Sequence, residues 1–208
     1  TMMNKHTISF VLKQIFIINL MLISVVANAQ KQASTSAFTV PVREEIGDLN
    51  GDGLADKVVI KMDTANIIRP LQLEIFFQQK NSKYRLVASS TKLLAAQYHE
   101  DGKYAGNVIP DLMIEDGMLN ILSEHKGKKI DHCFKFQNGN FELIYYFDVL
   151  WDEKNTTTQT TYNLASGEYK VESQQLMSDE VTVLEKKKMV VKPLPKLQDF
   201  VPFENQFY

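Results

Sequence analysis

The chain has 208 residues, of which 44% are hydrophobic and 23% are charged, with a formal net charge of −2 at pH 7. This balance argues against a nucleic acid partner, because phosphate binding requires an excess of clustered Lys and Arg. The single cysteine, Cys133, excludes a disulfide within these residues, and its place in a strand-like run predicts a small, buried, apolar side chain.

Residues 1–29 have the composition of a cleavable signal peptide. A basic start is followed by a mostly apolar run over 8–26, and Ala27-Asn28-Ala29 supplies the small residues that a signal peptidase requires. We expect cleavage after Ala29 and export of residues 30–208, without stable membrane insertion. The alternative is an uncleaved anchor, since a helix of about 20 residues spans a bilayer. Lys13-Gln14 interrupts the apolar run and disfavours that alternative.

Residues 30–38 are polar and small, which predicts a disordered lead-in. Residues 39–192 contain many short runs in which apolar and polar residues alternate, the pattern of half-buried strands. Asp116-Gly117 and Asn138-Gly139-Asn140 predict tight hairpins between such runs. Because hairpins follow one another, we predict an all-β antiparallel meander of about nine or ten strands. A sandwich, a partial barrel and one curved sheet are all compatible with this pattern.

The strongest apolar stripe lies in the run 141–151. Strict alternation would place six residues on one face: Phe141, Leu143, Tyr145, Phe147, Val149 and Trp151. We therefore expect Tyr145 and Trp151 in the core and Tyr146 exposed. The alternative is an exposed aromatic binding patch that includes all three of these side chains.

The remaining segments carry weaker signals. Thr91–Tyr98 is a weak helical candidate, and the Thr-rich run 156–161 is typical of an edge strand. Lys186–Lys188 indicates a solvated edge that resists pairing with other molecules, and a last strand is predicted at 189–191. Residues 193–208 carry three prolines among apolar residues, which predicts an extended strap laid over the domain.

One segment, 47–56, carries a metal-binding pattern. Its side-chain oxygens come from Asp48, Asn50, Asp52 and Asp56, and the Leu54 carbonyl adds a backbone oxygen. Calcium prefers six to eight oxygen ligands at about 2.3–2.6 Å, and alternate residues of a tight loop supply them. Position 12, which is a bidentate Glu in an EF-hand, is apolar here, so we predict a β-hairpin calcium loop. The alternative is a polar turn whose side chains bind only the backbone.

Residues 47–60 resemble one FG-GAP repeat, the VCBS-like calcium unit of integrin α-subunits. Their sequence is Gly-Asp-Leu-Asn-Gly-Asp-Gly-Leu-Ala-Asp-Lys-Val-Val-Ile. More loosely, residues 69–71, 84–88 and 162–167 resemble secreted proteins of Gram-negative bacteria, Bacteroidetes in particular, that carry one such loop. The resemblance implies structural Ca²⁺ and a periplasmic or secreted location. FG-GAP proteins repeat the unit around a β-propeller, but the pattern occurs once here, so we do not expect a complete propeller.

Catalysis would depend on a few histidines. His99-Glu100-Asp101 lies in a Gly-containing loop, where catalytic groups are common. Glu124-His125 and Asp131-His132 flank a turn and could approach each other, but a zinc site needs three or four converging ligands. His132 shares its strand face with apolar residues, which favours a core histidine, and Cys133 points to the opposite face.

These observations favour a non-enzymatic, exported β-domain that binds calcium structurally and acts as a binding module. The expected partner is an envelope protein, a peptide or a glycan. The alternative is a small periplasmic hydrolase or inhibitor-type protein that uses the His99–Asp101 loop.

Overall fold

This computed structural model describes residues 37–152 and 155–203, which contain eleven β-strands in two antiparallel sheets. The four-stranded sheet contains β1 (Val40–Gly47), β2 (Asp56–Met62), β3 (Leu71–Gln78) and β4 (Tyr84–Ser90). The seven-stranded sheet contains β5 (Asp111–Glu115), β6 (Met118–His125), β7 (Lys128–Gln137), β8 (Asn140–Trp151), β9 (Thr156–Asn163), β10 (Glu168–Gln175) and β11 (Val181–Lys188). Within each sheet, neighbouring strands are consecutive in the chain. The predicted all-β antiparallel meander is therefore confirmed.

The predicted signal peptide, residues 30–36 of the predicted lead-in and residues 204–208 of the predicted strap lie outside the described residues. Among the residues that are described, no helix is long and apolar enough to cross a membrane. The helix suggested for Thr91–Tyr98 is wrong. That segment consists of bends and irregular chain in which Leu93 and Leu94 are buried.

Local turn chemistry determines three of the hairpins. Asp116-Gly117, Lys126-Gly127 and Asn138-Gly139 each form a two-residue turn in which both residues have φ between 50° and 76°. Positive φ at both positions matches the right-handed twist of the flanking strands. The hairpins expected at Asp116-Gly117 and at Asn138-Gly139 are therefore present.

The two sheets share one apolar core. Phe77 of β3 packs against Phe136 of β7 and Phe141 of β8, with ring centroids 4.9 and 6.0 Å apart. The edge strands β1 and β5 are neighbours, and an ion pair of 3.1 Å joins Arg43 to Asp111. Of the arrangements that the sequence left open, the structure is closest to a sandwich of two open sheets.

A β-bulge in β8 overturns the expected burial of three aromatic residues. Tyr145 pairs with Cys133 but Leu143 pairs with Phe134, so Ile144 is an extra residue in β8. One extra residue shifts every following side chain to the other face. As a result Tyr146 is only 3% exposed, Tyr145 is half-buried and Trp151 is 57% exposed.

Two further predictions about the seven-stranded sheet are wrong. The Thr-rich strand β9 lies between β8 and β10 and is not an edge, because β-branched residues suit interior strands as well. Residues 189–191 do not form a strand. The edge is β11, whose eight residues are all exposed and include Lys186–Lys188.

Residues 195–197, within the segment 193–203, pair with β8. The Leu143 N–H donates to the Pro195 carbonyl at 2.8 Å, and the Leu197 N–H donates to the Phe141 carbonyl at 2.9 Å. Leu197 and Phe200 are both buried in the shared core. This segment therefore covers apolar surface that the strands alone would leave exposed.

Candidate functional site

The tip of the loop between β1 and β2, residues 48–53, is closed by side-chain hydrogen bonds to the backbone. The Asp48 carboxylate accepts the N–H groups of Asn50, Gly51 and Gly53 at 3.2, 2.7 and 2.8 Å. The Gly53 N–H is the main reason why the pKa of Asp48 is lowered from its usual value. Gly51 and Gly53 have φ of 77° and 79°, which a residue with a Cβ adopts only with strain.

The other two oxygen-bearing side chains of the tip follow the same geometry. The Asn50 side-chain oxygen accepts the Asp52 N–H at 2.9 Å, and the Asp52 carboxylate accepts the Leu54 N–H at 2.9 Å. The Asn50 amide nitrogen also donates to Asp52 at 3.2 Å. Side chains at alternate positions thus organise the tip, as the spacing of the sequence indicates.

Asp56 lies at the buried base of the loop. Its two carboxylate oxygens accept the N–H groups of Leu49 and Gln78, each at 3.0 Å, and its side chain is fully buried. Burial raises its pKa, and the charges of Asp52 and Asp48 act in the same direction. Asp56 therefore connects the start of the loop to the end of β3.

The loop divides the predicted calcium ligands into two groups. Asp48, Asn50 and Asp52 lie at the tip, whereas Asp56 lies at the base with both oxygens hydrogen-bonded. Among the described residues, no three His, Cys, Asp or Glu side chains are grouped so that they could hold a metal ion. Leu54, whose carbonyl is the predicted backbone ligand, comes directly after the tip in the chain. The hydrogen bonds also match the alternative prediction, a polar turn bound to the backbone.

The loop at His99–Asp101 is an exposed turn. The His99 N–H donates to the Lys103 carbonyl, and the Gly102 N–H donates to the His99 carbonyl, both at 2.9 Å. The Asp101 carboxylate lies 3.1 Å from the Lys103 ammonium, and the Lys103 N–H is the first cause of the lowered pKa of Asp101. These contacts stabilise the turn.

The other histidines and the cysteine occupy separate environments. His125 ends β6 and stacks on Phe203 with ring centroids 4.2 Å apart. His132 is buried beside Tyr146 and Phe200, and burial lowers its pKa to about 3. Cys133 is buried on the opposite face of β7, where burial raises its pKa to about 11. The thiol is therefore protonated at neutral pH, and the core position expected for His132 is confirmed.

A cavity of about 480 Å³ opens on the face of the seven-stranded sheet that points away from the shared core. We call it the outer-face cavity. Its lining is mostly apolar and includes Val108, Ile109, Leu122, Phe147 and Val149, together with Asp131. The sequence contained no signal for it, because the cavity depends on the register of three strands. Leu122, Asp131 and Phe147 form one cross-strand row of β6, β7 and β8.

Comparison with known proteins identifies no relative. No protein-family model matches the sequence, and no curated protein or solved structure matches the chain. The likeness to an FG-GAP repeat therefore remains an expectation from residues 47–60.

Proposed function

We propose that this chain is an exported binding module whose loop at 47–56 holds a structural calcium ion. The observation that carries the proposal is the closed tip, in which the Asp48 carboxylate gathers three backbone N–H groups. A loop that is already ordered loses less conformational entropy when it binds an ion. The side chains of Asp48, Asn50, Asp52 and Asp56 and the carbonyl of Leu54 would hold the calcium.

Electrostatics also supports a cation in this loop. Asp48, Asp52 and Asp56 lie within nine residues; burial is the main cause of the raised pKa of Asp56, and the charges of Asp52 and Asp48 add to it. A divalent cation relieves such repulsion. A carboxylate oxygen has two lone pairs, so an oxygen that accepts one N–H can still bind an ion. We expect affinity in the range of extracellular modules, about 10⁻⁴–10⁻³ M.

The described residues favour binding over catalysis. Asp101 is paired with Lys103, the Cys133 thiol is buried, and His132 lies in the core. The outer-face cavity offers a concave, largely apolar surface of the size that small ligands occupy, about 300–1,000 Å³. We infer that the biological role is recognition of another molecule in the periplasm or outside the cell.

Thermal unfolding in EDTA and in millimolar CaCl₂ tests the calcium proposal. A ligand at a hundredfold above Kd stabilises the folded state by about 2.7 kcal/mol. We expect a rise of several degrees in Tm with calcium, and no rise in the Asp48→Ala, Asp52→Ala double variant. Asp63→Ala is the matched control, because Asp63 also accepts backbone N–H groups in an exposed turn. A calcium response that is equal in all three proteins, or absent from the wild type, contradicts the proposal.

A further inference from the structure

The outer-face cavity contains a carboxylate without a partner. One oxygen of Asp131, Oδ1, is inaccessible to water and accepts no hydrogen bond from any residue that the structure describes. Buried polar atoms are normally hydrogen-bonded, and one without a partner requires an explanation. The pKa of Asp131 is raised to about 6, and burial is the cause.

The position of Asp131 follows from strand register. In the neighbouring row, Ile121, His132 and Tyr146 are buried in the shared core. Side chains one residue further along each strand point to the opposite face. Asp131 therefore lies on the outer face between Leu122 and Phe147, so an apolar wall flanks the carboxylate on both sides.

The charges around the cavity favour a cationic ligand. Asp111, Glu124 and Asp131 line it with negative charge, and Lys129 is the lining residue with positive charge. Asp111 already pairs with Arg43 at 3.1 Å. The ion pairs within 4 Å among the described residues do not include one between Lys129 and Asp131. Asp131 as a whole is only half-buried and lines the cavity, so its carboxylate can accept an N–H from a ligand through its exposed side.

We propose that the outer-face cavity binds a small organic amine, with the ammonium group donating to Asp131 and an apolar body packed against Leu122, Phe147 and Val149. Charge-assisted hydrogen bonds are about twice as strong as neutral ones, which makes Asp131 the specificity-determining group. The proposal rests on the binding role proposed above and is independent of the calcium loop.

Titration of the purified protein with three probes that share one apolar body tests this assignment. The probes are 4-phenylbutylamine, 4-phenylbutanol and 4-phenylbutyrate. Calorimetry or NMR at pH 7.5 measures the affinity of each. We expect the amine to bind at least tenfold more tightly than the alcohol, and the carboxylate to bind most weakly. Equal affinity for amine and alcohol, or no binding of the amine at 10 mM, overturns the proposal.

Two variants test separately how the charge of Asp131 and the apolar wall contribute to ligand binding. Asp131→Asn keeps the shape of the side chain and is expected to remove the preference for the amine while leaving alcohol binding unchanged. Leu122→Trp fills the cavity from a partly exposed position and is expected to weaken both probes. If Asp131→Asn keeps the amine preference, the site assignment is wrong. The comparison of probes on the wild-type protein stands even if a variant folds poorly.

Acidification provides a further check. The charged groups that line the cavity beside Asp131 are Asp111 of β5, Glu124 of β6 and Lys129 of β7, and β8 lines it with Phe147 and Val149. The Cys133 thiol of β7 also interacts with the charge of Asp131, but its pKa of about 11 keeps it protonated over this pH range. Protonation of Asp131 below about pH 6 removes the charge that attracts the amine. Amine affinity should fall severalfold between pH 7.5 and 5, and alcohol affinity should not; the opposite pattern contradicts the proposal.

The amine titrations do not depend on the calcium response of the loop. Each of the two proposals can therefore be refuted without affecting the other.

Discussion

Gly47, the last residue of β1, packs directly against the side chain of Ile114 on β5. A Cβ at position 47 would lie 2.6 Å from Ile114 Cγ2, closer than carbon atoms approach without displacement. This contact lies where the two sheets meet edge to edge, at the first residue of the candidate calcium loop. The first glycine of the loop motif therefore has a packing role, independent of any metal.

Gly47→Ala should destabilise the protein by about 1–3 kcal/mol, the range for inserting a methyl group into a packed contact. Urea unfolding monitored by circular dichroism measures the change. Ile114→Ala removes Cγ2, so the same Gly47→Ala substitution should cost less in that background. Ile114→Val is the control background, because it keeps the γ-carbons, so Gly47→Ala should cost there as much as in the wild type. Additive effects of Gly47→Ala and Ile114→Ala would show that the contact is absent in solution.

Asp56 should stabilise the fold even without calcium. Asp56→Asn replaces one of two acceptor oxygens with a donor that faces the N–H of Leu49 or Gln78. Leaving a buried polar group unpaired costs about 1–3 kcal/mol. Urea unfolding in EDTA should show this loss, whereas Asp52→Ala at the exposed tip should cost less. Equal losses would mean that Asp56 is not the buried connection between the loop and β3.

His132 should make the protein less stable in acid. Its pKa is about 3 in the folded protein, below the unfolded value near 6.5, so the unfolded state binds more protons as the pH falls. The free energy of unfolding should therefore drop by about 2 kcal/mol between pH 7 and 5 from this residue. The raised pKa of Asp131 acts in the opposite direction, so the test compares wild type with His132→Phe.

The difference in unfolding free energy between wild type and His132→Phe, measured by urea at several pH values, isolates the imidazole. A lost hydrogen bond would shift this difference by a constant amount. Protonation instead makes it change with pH below about 6.5. A difference that stays the same from pH 7 to 5 would refute the buried neutral state of His132.

The segment 193–203 should contribute to global stability. Leu197 is fully buried in the shared core, and Leu→Ala at such positions costs about 2–5 kcal/mol. Val190→Ala is the control, because Val190 is 63% exposed and should change stability by less than about 0.5 kcal/mol. Chemical denaturation measures both. A small loss at Leu197 would mean that the segment does not remain docked on β8.

The all-β meander, the hairpins at Asp116-Gly117 and Asn138-Gly139 and the oxygen spacing of the 47–56 loop could be predicted from the sequence. Each depends on residues that are neighbours in the chain. A turn with two positive φ angles favours Gly, Asn or Asp at fixed positions, and alternation marks a strand whatever its partner is. Side-chain oxygens at alternate positions likewise need only their own loop to meet the backbone N–H groups.

The tertiary structure decided which faces those strands present. The bulge at Ile144 arises from pairing with β7, and it buries Tyr146 and exposes Trp151 against the strict alternation of the sequence. Register across β6, β7 and β8 likewise places Asp131 in an apolar cavity. Pairing between strands depends on contacts between residues that are distant in the chain. A single extra residue moves every following side chain of the strand to the opposite face of the sheet. The local sequence does not indicate where such a residue is inserted.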